Sequence, residues 1–239
     1  MKRFLILSLA TLALSAGCTR APSDAPRDAV APTAAESQAE QLDRLFDEYW
    51  EAALELNPLR ATFIGDHRYN DRFPVSISPD HIAATRALLE RSLAAVEAVP
   101  PETLDEQRRL SQERFIRDMR HSLAGYRFPS ELLPVSQFFS MPNRFAMLGL
   151  GTSAQPFQTV TDYENFLQRM DGFVAWVDQA IVNMRQGMET GVVQPAILME
   201  RTIPQLEAHI VDAPGDSLFF RPVAELPRRG PGGRARAPA

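Results

Sequence analysis

Between Phe166 and Met188, large apolar side chains recur at spacings of four, three, four, four, three and four: Phe166, Met170, Phe173, Val177, Ile181, Met184 and Met188. That is the repeat of one helical face, and the two-residue period of a strand cannot produce it. A helix of this extent, running to about Thr190, is roughly 40 Å long at 1.5 Å per residue. Everything else in a chain of this size must pack alongside it. Thr161 with Glu164 reads as the capping box that opens the helix, and Gly191 as the residue that ends it. The methionines Met170, Met184 and Met188 are read as core filler, not as a cofactor box.

Other segments read the same way. From Glu40 to Leu56, the set Leu42, Leu45, Phe46, Tyr49, Trp50 and Ala53 lies on one helical face. Asn57-Pro58 interrupts it, because a residue before proline disfavours the α region. Ser78 as N-cap and Pro79 at the first helical position open a helix to about Ala98, with Ile82, Leu89, Leu93 and Val96 on one side. Thr103 with Glu106 predicts a second capping box, for a helix carrying Leu110, Phe115, Met119, Leu123 and Tyr126. Pro, Gly and Asn punctuate residues 128–158, read as a long loop with short helical turns. Pro195 begins a last helix, bent at Pro204 and ending near Ile210. No segment alternates with strand period and no internal repeat is found. The expected fold class is all-α, an irregular multi-helix domain over residues 38–227.

The N-terminus carries different information. Met1-Lys2-Arg3 precedes an apolar run from Phe4 to Ala16, the pattern of a secretory signal over residues 1–17. The run is too short for a membrane span, which needs about 20 apolar residues. Leu14-Ser15-Ala16-Gly17-Cys18 resembles the bacterial lipobox, with Ser15 where leucine is preferred. Cys18 is therefore the expected lipid attachment site and the first residue of the mature chain. It is the only cysteine, so no intrachain disulfide can form in an oxidising compartment. Several acyl chains on one residue anchor firmly, since each buried CH₂ contributes about 0.8 kcal/mol. Thr19 after the cysteine, by analogy with other lipoproteins, points to the periplasmic face of the outer membrane. Residues 18–37, rich in Ala, Pro, Ser and Asp, bury too little to offset their ordering entropy and read as a tether.

The chain holds 25 Lys and Arg against 30 Asp and Glu, a net charge of −5. Without Lys2 and Arg3 the balance is 23 against 30, or −7. An acidic chain of this kind argues against nucleic-acid partners. The four histidines, His67, His81, His121 and His209, are not followed by glutamate, and no two are four residues apart. A His-Glu-x-x-His zinc helix and any cysteine-based metal site are thus missing from the sequence. These histidines read as surface or half-buried polar residues. There is no Gly-x-Ser-x-Gly elbow and no P-loop, and Gly149-Leu150-Gly151 lacks the third glycine of a dinucleotide fingerprint. The densest polar group is 65–72, Gly-Asp-His-Arg-Tyr-Asn-Asp-Arg. Asp66 or His67 could serve as acid or base there. The favoured reading is a solvated turn with local Asp–Arg pairs, each worth under about 1 kcal/mol. The sequence therefore nominates no catalytic, cofactor-binding or metal-binding residue.

Several stretches together resemble the bacterial family called domain of unknown function 885. They are Asn57-Pro58-Leu59-Arg60-Ala61-Thr62 leading to Gly65, and Tyr69-Asn70-Asp71-Arg72-Phe73-Pro74. Further along come Tyr163-Glu164-Asn165-Phe166-Leu167-Gln168-Arg169-Met170, Val177-Asp178-Gln179-Ala180-Ile181 and Met184-Arg185-Gln186-Gly187. Glu200-Arg201-Thr202-Ile203-Pro204-Gln205-Leu206-Glu207 and Ser217-Leu218-Phe219-Phe220-Arg221-Pro222 complete the set. The resemblance implies a mostly helical protein, often a lipoprotein, similar to zinc metallopeptidases and more than twice this long. It implies zinc and short peptide substrates for full-length relatives, whose presumed ligands lie in a C-terminal half. No position of this chain corresponds to those ligands.

Residues 228–239 contain four arginines, no acid, and otherwise only Gly, Pro and Ala. The codons of these four amino acids begin with two G/C bases, as a GC-rich gene gives when read out of frame. A natural basic tail for anionic partners is the alternative. The out-of-frame reading is preferred because the family-like stretches stop near residue 227. The sequence thus predicts the N-terminal helical part of a lipid-anchored, peptidase-like envelope protein, without its metal-binding half. The competing expectation is a non-enzymatic helical lipoprotein acting as a scaffold or adapter.

Overall fold

Ser37 caps the first helix. Its hydroxyl accepts from the Glu40 amide at 3.2 Å, and the Glu40 carboxylate accepts from the Ser37 amide at 2.9 Å, satisfying two otherwise orphaned donors. The computed structural model describes residues 36–224. The signal, Cys18 and nearly all of the tether lie outside these residues, as do residues 225–239.

Helix α1 (Gln38–Leu56) stops at Asn57, whose side-chain oxygen accepts from the Arg60 amide and so starts α2 (Pro58–Phe63). The Asn57-Pro58 break is therefore a stop and a start in one dipeptide. Ser78 and Pro79 open α3 (Pro79–Glu97) as the sequence predicts. For α4 (Glu106–Gly125) the cap differs from expectation. Asp105, not Thr103, accepts from the Arg108 amide at 2.9 Å. The Thr103 hydroxyl instead donates to the Pro100 carbonyl at 2.7 Å, holding the short 3₁₀ turn Pro101–Thr103 that precedes the helix.

Helices α1, α3 and α4 pack against one another around buried Leu42, Val96, Val99 and Leu104, with Phe46 and Phe115 at the margin. Gln112 is buried among them. Its amide donates to the Val96 and Val99 carbonyls at 2.9 and 2.8 Å. The Val96 carbonyl also accepts from the Val99 amide at 3.3 Å, so the last turn of α3 is closed by backbone and side chain together.

The second core surrounds the long helix α6 (Val160–Thr190). Phe145, on α5 (Met141–Leu148), is fully buried at its centre. It stacks on Phe173 and Phe166 and meets Phe73 edge-on. The region expected to be a long loop with short helical turns thus contains a 3₁₀ turn, Ser130–Leu132, and a two-turn helix whose side chains reach the aromatic core. The box opening α6 is Thr159 with Asp162, two residues before the predicted Thr161 and Glu164. The Asp162 carboxylate accepts from the Gln158 and Thr159 amides at 2.9 and 2.7 Å, so Thr161 already lies inside the first turn. Gly191 ends the helix in the left-handed region at φ 78°, the conformation that favours glycine. Helix α7 (Ala196–Glu207) follows Pro195 and contains Pro204, and α8 (Arg221–Ala224) closes the described part. Among the described residues there are eight helices and no strand, and no helix is long and apolar enough to cross a membrane.

The predicted row packs against this core at Phe166, Met170, Phe173, Val177 and Met184 but not at Ile181 and Met188, and the most buried face is offset from it. Phe166, Arg169, Trp176, Ala180, Asn183 and Gly187 are buried, whereas Ile181 and Met188 are exposed. Met170, Phe173, Val177 and Met184 pack at the edge of the core. The inner face thus carries polar groups where apolar periodicity alone placed hydrocarbon.

Candidate ligand cleft

The polar inner face of α6 holds a strap, the segment between α2 and α3. Arg169 is fully buried. Its guanidinium donates to the Arg72 carbonyl at 3.1 Å, the Tyr69 carbonyl at 3.1 Å, the Thr62 hydroxyl at 2.6 Å and the Gln155 side-chain oxygen. All these acceptors are neutral, so burial pushes its pKa down to about 10, with Asp71 pulling the other way. Asn70, also buried, lies 2.7 Å from the same Thr62 hydroxyl. One turn further along α6, Gly172 leaves room for the strap backbone. A Cβ there would come within 2.5 Å of the Phe73 carbonyl. The Trp176 indole donates to the Ser76 hydroxyl at 3.2 Å, and the Asn183 amide donates to the Ile77 and Glu131 carbonyls at 2.9 and 3.0 Å. The strap therefore runs in the same direction as α6, tied to it at four levels.

Tying the strap down fixes the start of α3 and opens a cleft between the two cores. Two cavities meet at Ser76 and His81. One, of about 430 Å³, is bounded by Thr85, Ser122, Tyr126, Ser130 and Glu131. The other, of about 500 Å³, is bounded by Asn57, Arg60, Pro74, Met141 and Arg144. A third, of about 320 Å³, shares His81 and Arg60 and adds Tyr49 and Tyr126. His81 sits in the first turn of α3, half-buried, and burial lowers its pKa from 6.5. At neutral pH the imidazole is uncharged and can donate and accept hydrogen bonds. Arg60 and Arg144 make one end of the cleft cationic, while Glu131 places an acid at the other. Arg60 also lies over the Trp50 ring, 4.9 Å from its centroid, which restrains its position.

The polar segment 65–72 proves to be two things. Asp66 pairs with Arg68 at 2.6 Å, and Arg68 also reaches Glu51 at 2.8 Å. The Arg68 hydrogen bonds hold the Asp66 carboxyl below its usual range, which unsuits it to take up a proton near neutral pH. His67 is exposed and its ring lies 3.2 Å from the Asn70 amide. That part is the solvated turn with local pairing. Asn70 and the backbone of Tyr69 and Arg72 belong instead to the buried strap.

His121 is exposed, and His209 lies 2.7 Å from Asn143, far from His81 in the chain. Among the described residues no group of three or more His, Cys, Asp or Glu side chains could hold a metal ion. Cys18 lies outside the described residues. The cleft residues His81, Arg60, Arg144 and Glu131 carried no sequence signal, because each sits on a different element and only the strap brings them together. Arg169 did carry one: an arginine flanked by Phe166 and Phe173 on a helix with an apolar face.

Comparison with curated proteins and with solved structures finds no match for this chain. The family model described as "Bacterial protein of unknown function (DUF885)" matches residues 58–239. The match runs from the proline that opens α2, takes in the strap, the cleft and α6, and continues past residue 227. It covers well over half of the chain, and the protein therefore belongs to that family.

Proposed function

We propose that this protein is exported and lipid-anchored through Cys18 at the periplasmic face of the outer membrane. Its helical domain binds a short peptide in the cleft around His81, as the substrate-holding part of a peptidase-like hydrolase. The observation that carries the reading is the polarity of the cleft. Arg60 and Arg144 line one of the two cavities that share Ser76 and His81, and Glu131 lines the other. A peptide with free termini has the matching pair of charges, and a guanidinium is suited to a terminal carboxylate. Cavities of this size take small organic ligands. Hydroxyls of Ser76, Thr85, Ser122, Ser130 and Tyr126 supply partners for peptide amides between the two ends.

The zinc that the family resemblance implies finds no ligand set among the described residues. What these residues supply is binding and orientation.

Calorimetric titration with trialanine tests the cleft. Trialanine should bind saturably. Blocking its C-terminus as an amide, or Arg144→Ala in the protein, should each weaken binding about tenfold, which is 1.4 kcal/mol. Equal affinity for the free and amidated peptide would end this reading. For the anchor, labelled palmitate should enter the wild type and not Cys18→Ser; equal labelling of the two would remove it.

A further inference from the structure

Helix α6 carries a second apolar row, on the side away from its core. Val160, Leu167, Val174, Ile181 and Met188 follow one another at intervals of seven residues, and each is between 39% and 74% exposed. Three residues after the first four come Tyr163, Met170, Val177 and Met184, all half-buried between this row and the core. Together they make the a and d positions of a heptad repeat sustained over four heptads. A straight helix of 3.6 residues per turn drifts across such a row, so a strict seven-residue repeat is the pattern of a helix that another helix follows in a left-handed supercoil. Burial in this domain does not require the outer row. The inward face, with Arg169, Trp176 and Asn183 and with Phe166, Phe173, Ala180 and Gly187, has its own seven-residue spacing.

A second row runs beside the first. Glu164, Asp171 and Asp178, again seven apart, are exposed, and none forms an ion pair with a described residue. They occupy three of the four e positions, the edge that faces the flank of a docked helix, and the fourth is Arg185, so the acidic edge spans the first three heptads. At the C-terminal end of the apolar row, Met184 and Met188 open into a small apolar pocket of about 170 Å³ completed by Leu132, Val135, Val193 and Met199.

We infer that the outer face of α6 is a docking seam for an amphipathic helix with apolar residues at heptad spacing and a basic edge. The three carboxylates select the basic edge. They also disfavour a second copy of this chain as occupant. An antiparallel pair of α6 helices centred on Val174 would set acid against acid, Asp171 against Asp178, across the seam. The inference does not rest on the peptide cleft, whose lining residues all lie outside α6.

The probe is a labelled synthetic helix with Ile and Leu at its a and d positions and Lys along both flanks, titrated into the full chain and followed by fluorescence anisotropy. It should bind saturably. Leu167→Glu and Ile181→Glu, both at exposed positions, should each weaken it about tenfold or more. The same peptide with Glu for Lys should bind poorly to the wild type and recover on Asp171→Lys/Asp178→Lys. Circular dichroism of each variant separates loss of the seam from loss of fold. Equal binding of Lys- and Glu-edged peptides, or no saturable binding of either, overturns the inference. So does a chain that sediments as a dimer and becomes monomeric on Leu167→Glu, since a second copy would then be the occupant.

Discussion

Arg169 decides how the two halves of the domain are joined. Removing a buried guanidinium from water costs several kcal/mol, and here no carboxylate bonds to it to repay that. Its compensation is a full set of neutral acceptors on the strap, α2 and the α5–α6 connection. Arg169→Ala would leave the Arg72 carbonyl and the Gln155 side-chain oxygen without their donor, at about 1–3 kcal/mol each, while the Tyr69 carbonyl keeps the Arg72 amide. Part of this relaxes by water entry, so a loss of about 3–5 kcal/mol is expected in urea unfolding. A loss below about 1 kcal/mol would mean that Gly172, Trp176 and Asn183 hold the strap unaided. The pH dependence has a definite sign. A cation whose folded-state pKa is depressed binds fewer protons folded than unfolded, so its contribution to stability rises with pH only above about 10. The gap between wild type and Arg169→Ala should therefore stay flat across neutral pH and widen only under alkaline conditions, above about 10.

Individual helices end where local chemistry ends them, and the caps show how close two local solutions can be. Thr103 and Asp105 both stand within three residues of the start of α4, and both have the side chain an N-cap needs. Asp105 prevails because its carboxylate accepts the Arg108 amide and also pairs with the Arg108 guanidinium at 2.6 Å. Arg108 is itself tied to Asp43 on α1. The Arg108 hydrogen bonds hold the Asp105 carboxyl below its usual range. Asp105→Ala should cost about 1 kcal/mol, the usual size for a lost cap, and Thr103→Ala distinctly less. The reverse order in thermal melts would restore Thr103 as the cap. Helix α6 teaches a related point. Its apolar residues form two seven-residue patterns on opposite sides, and a search for one stripe merges them into a row that belongs fully to neither.

At the scale of the whole molecule, the described residues form two cores. The α1–α3–α4 core around Leu42, Val96 and Val99 shares no buried residue with the aromatic core around Phe145, and the strap and α2 bridge them. Phe145→Ala should remove about 3–5 kcal/mol from the aromatic core. Hydrogen exchange should then rise sharply in α5, α6 and the strap while α3 and α4 keep most of their protection. Uniform loss of protection in both cores would show that they unfold as one unit. The exposed row on α6 has a consequence at the same scale: apolar surface left in water contributes about 25 cal/mol per Å² less than if covered. Apolar dye should therefore bind the wild type, and bind it less after Leu167→Glu; equal binding would place the dye elsewhere.

The sequence by itself determined the all-helical fold, most helix boundaries, the Asn57-Pro58 break, the Ser78-Pro79 start, the Gly191 stop and the family. Each depends on contacts within a few residues, which a linear reading captures: a cap needs an oxygen three residues from an amide, and a break needs only a proline. The reading failed where two local options competed, at Thr103 with Asp105 and at Thr161 with Thr159. At Asp105 the choice is reinforced by Asp43, far along the chain, and at Thr159 by the neighbouring Asp162 carboxylate. Only the tertiary structure decided which side of α6 faces inward, because both sides carry apolar residues and the choice depends on where Arg169, Trp176 and Asn183 find acceptors. The cleft lies furthest from the sequence. Arg60, His81, Glu131 and Arg144 are ordinary surface residue types on four separate elements, and they become neighbours only after buried hydrogen bonds lay the strap along α6.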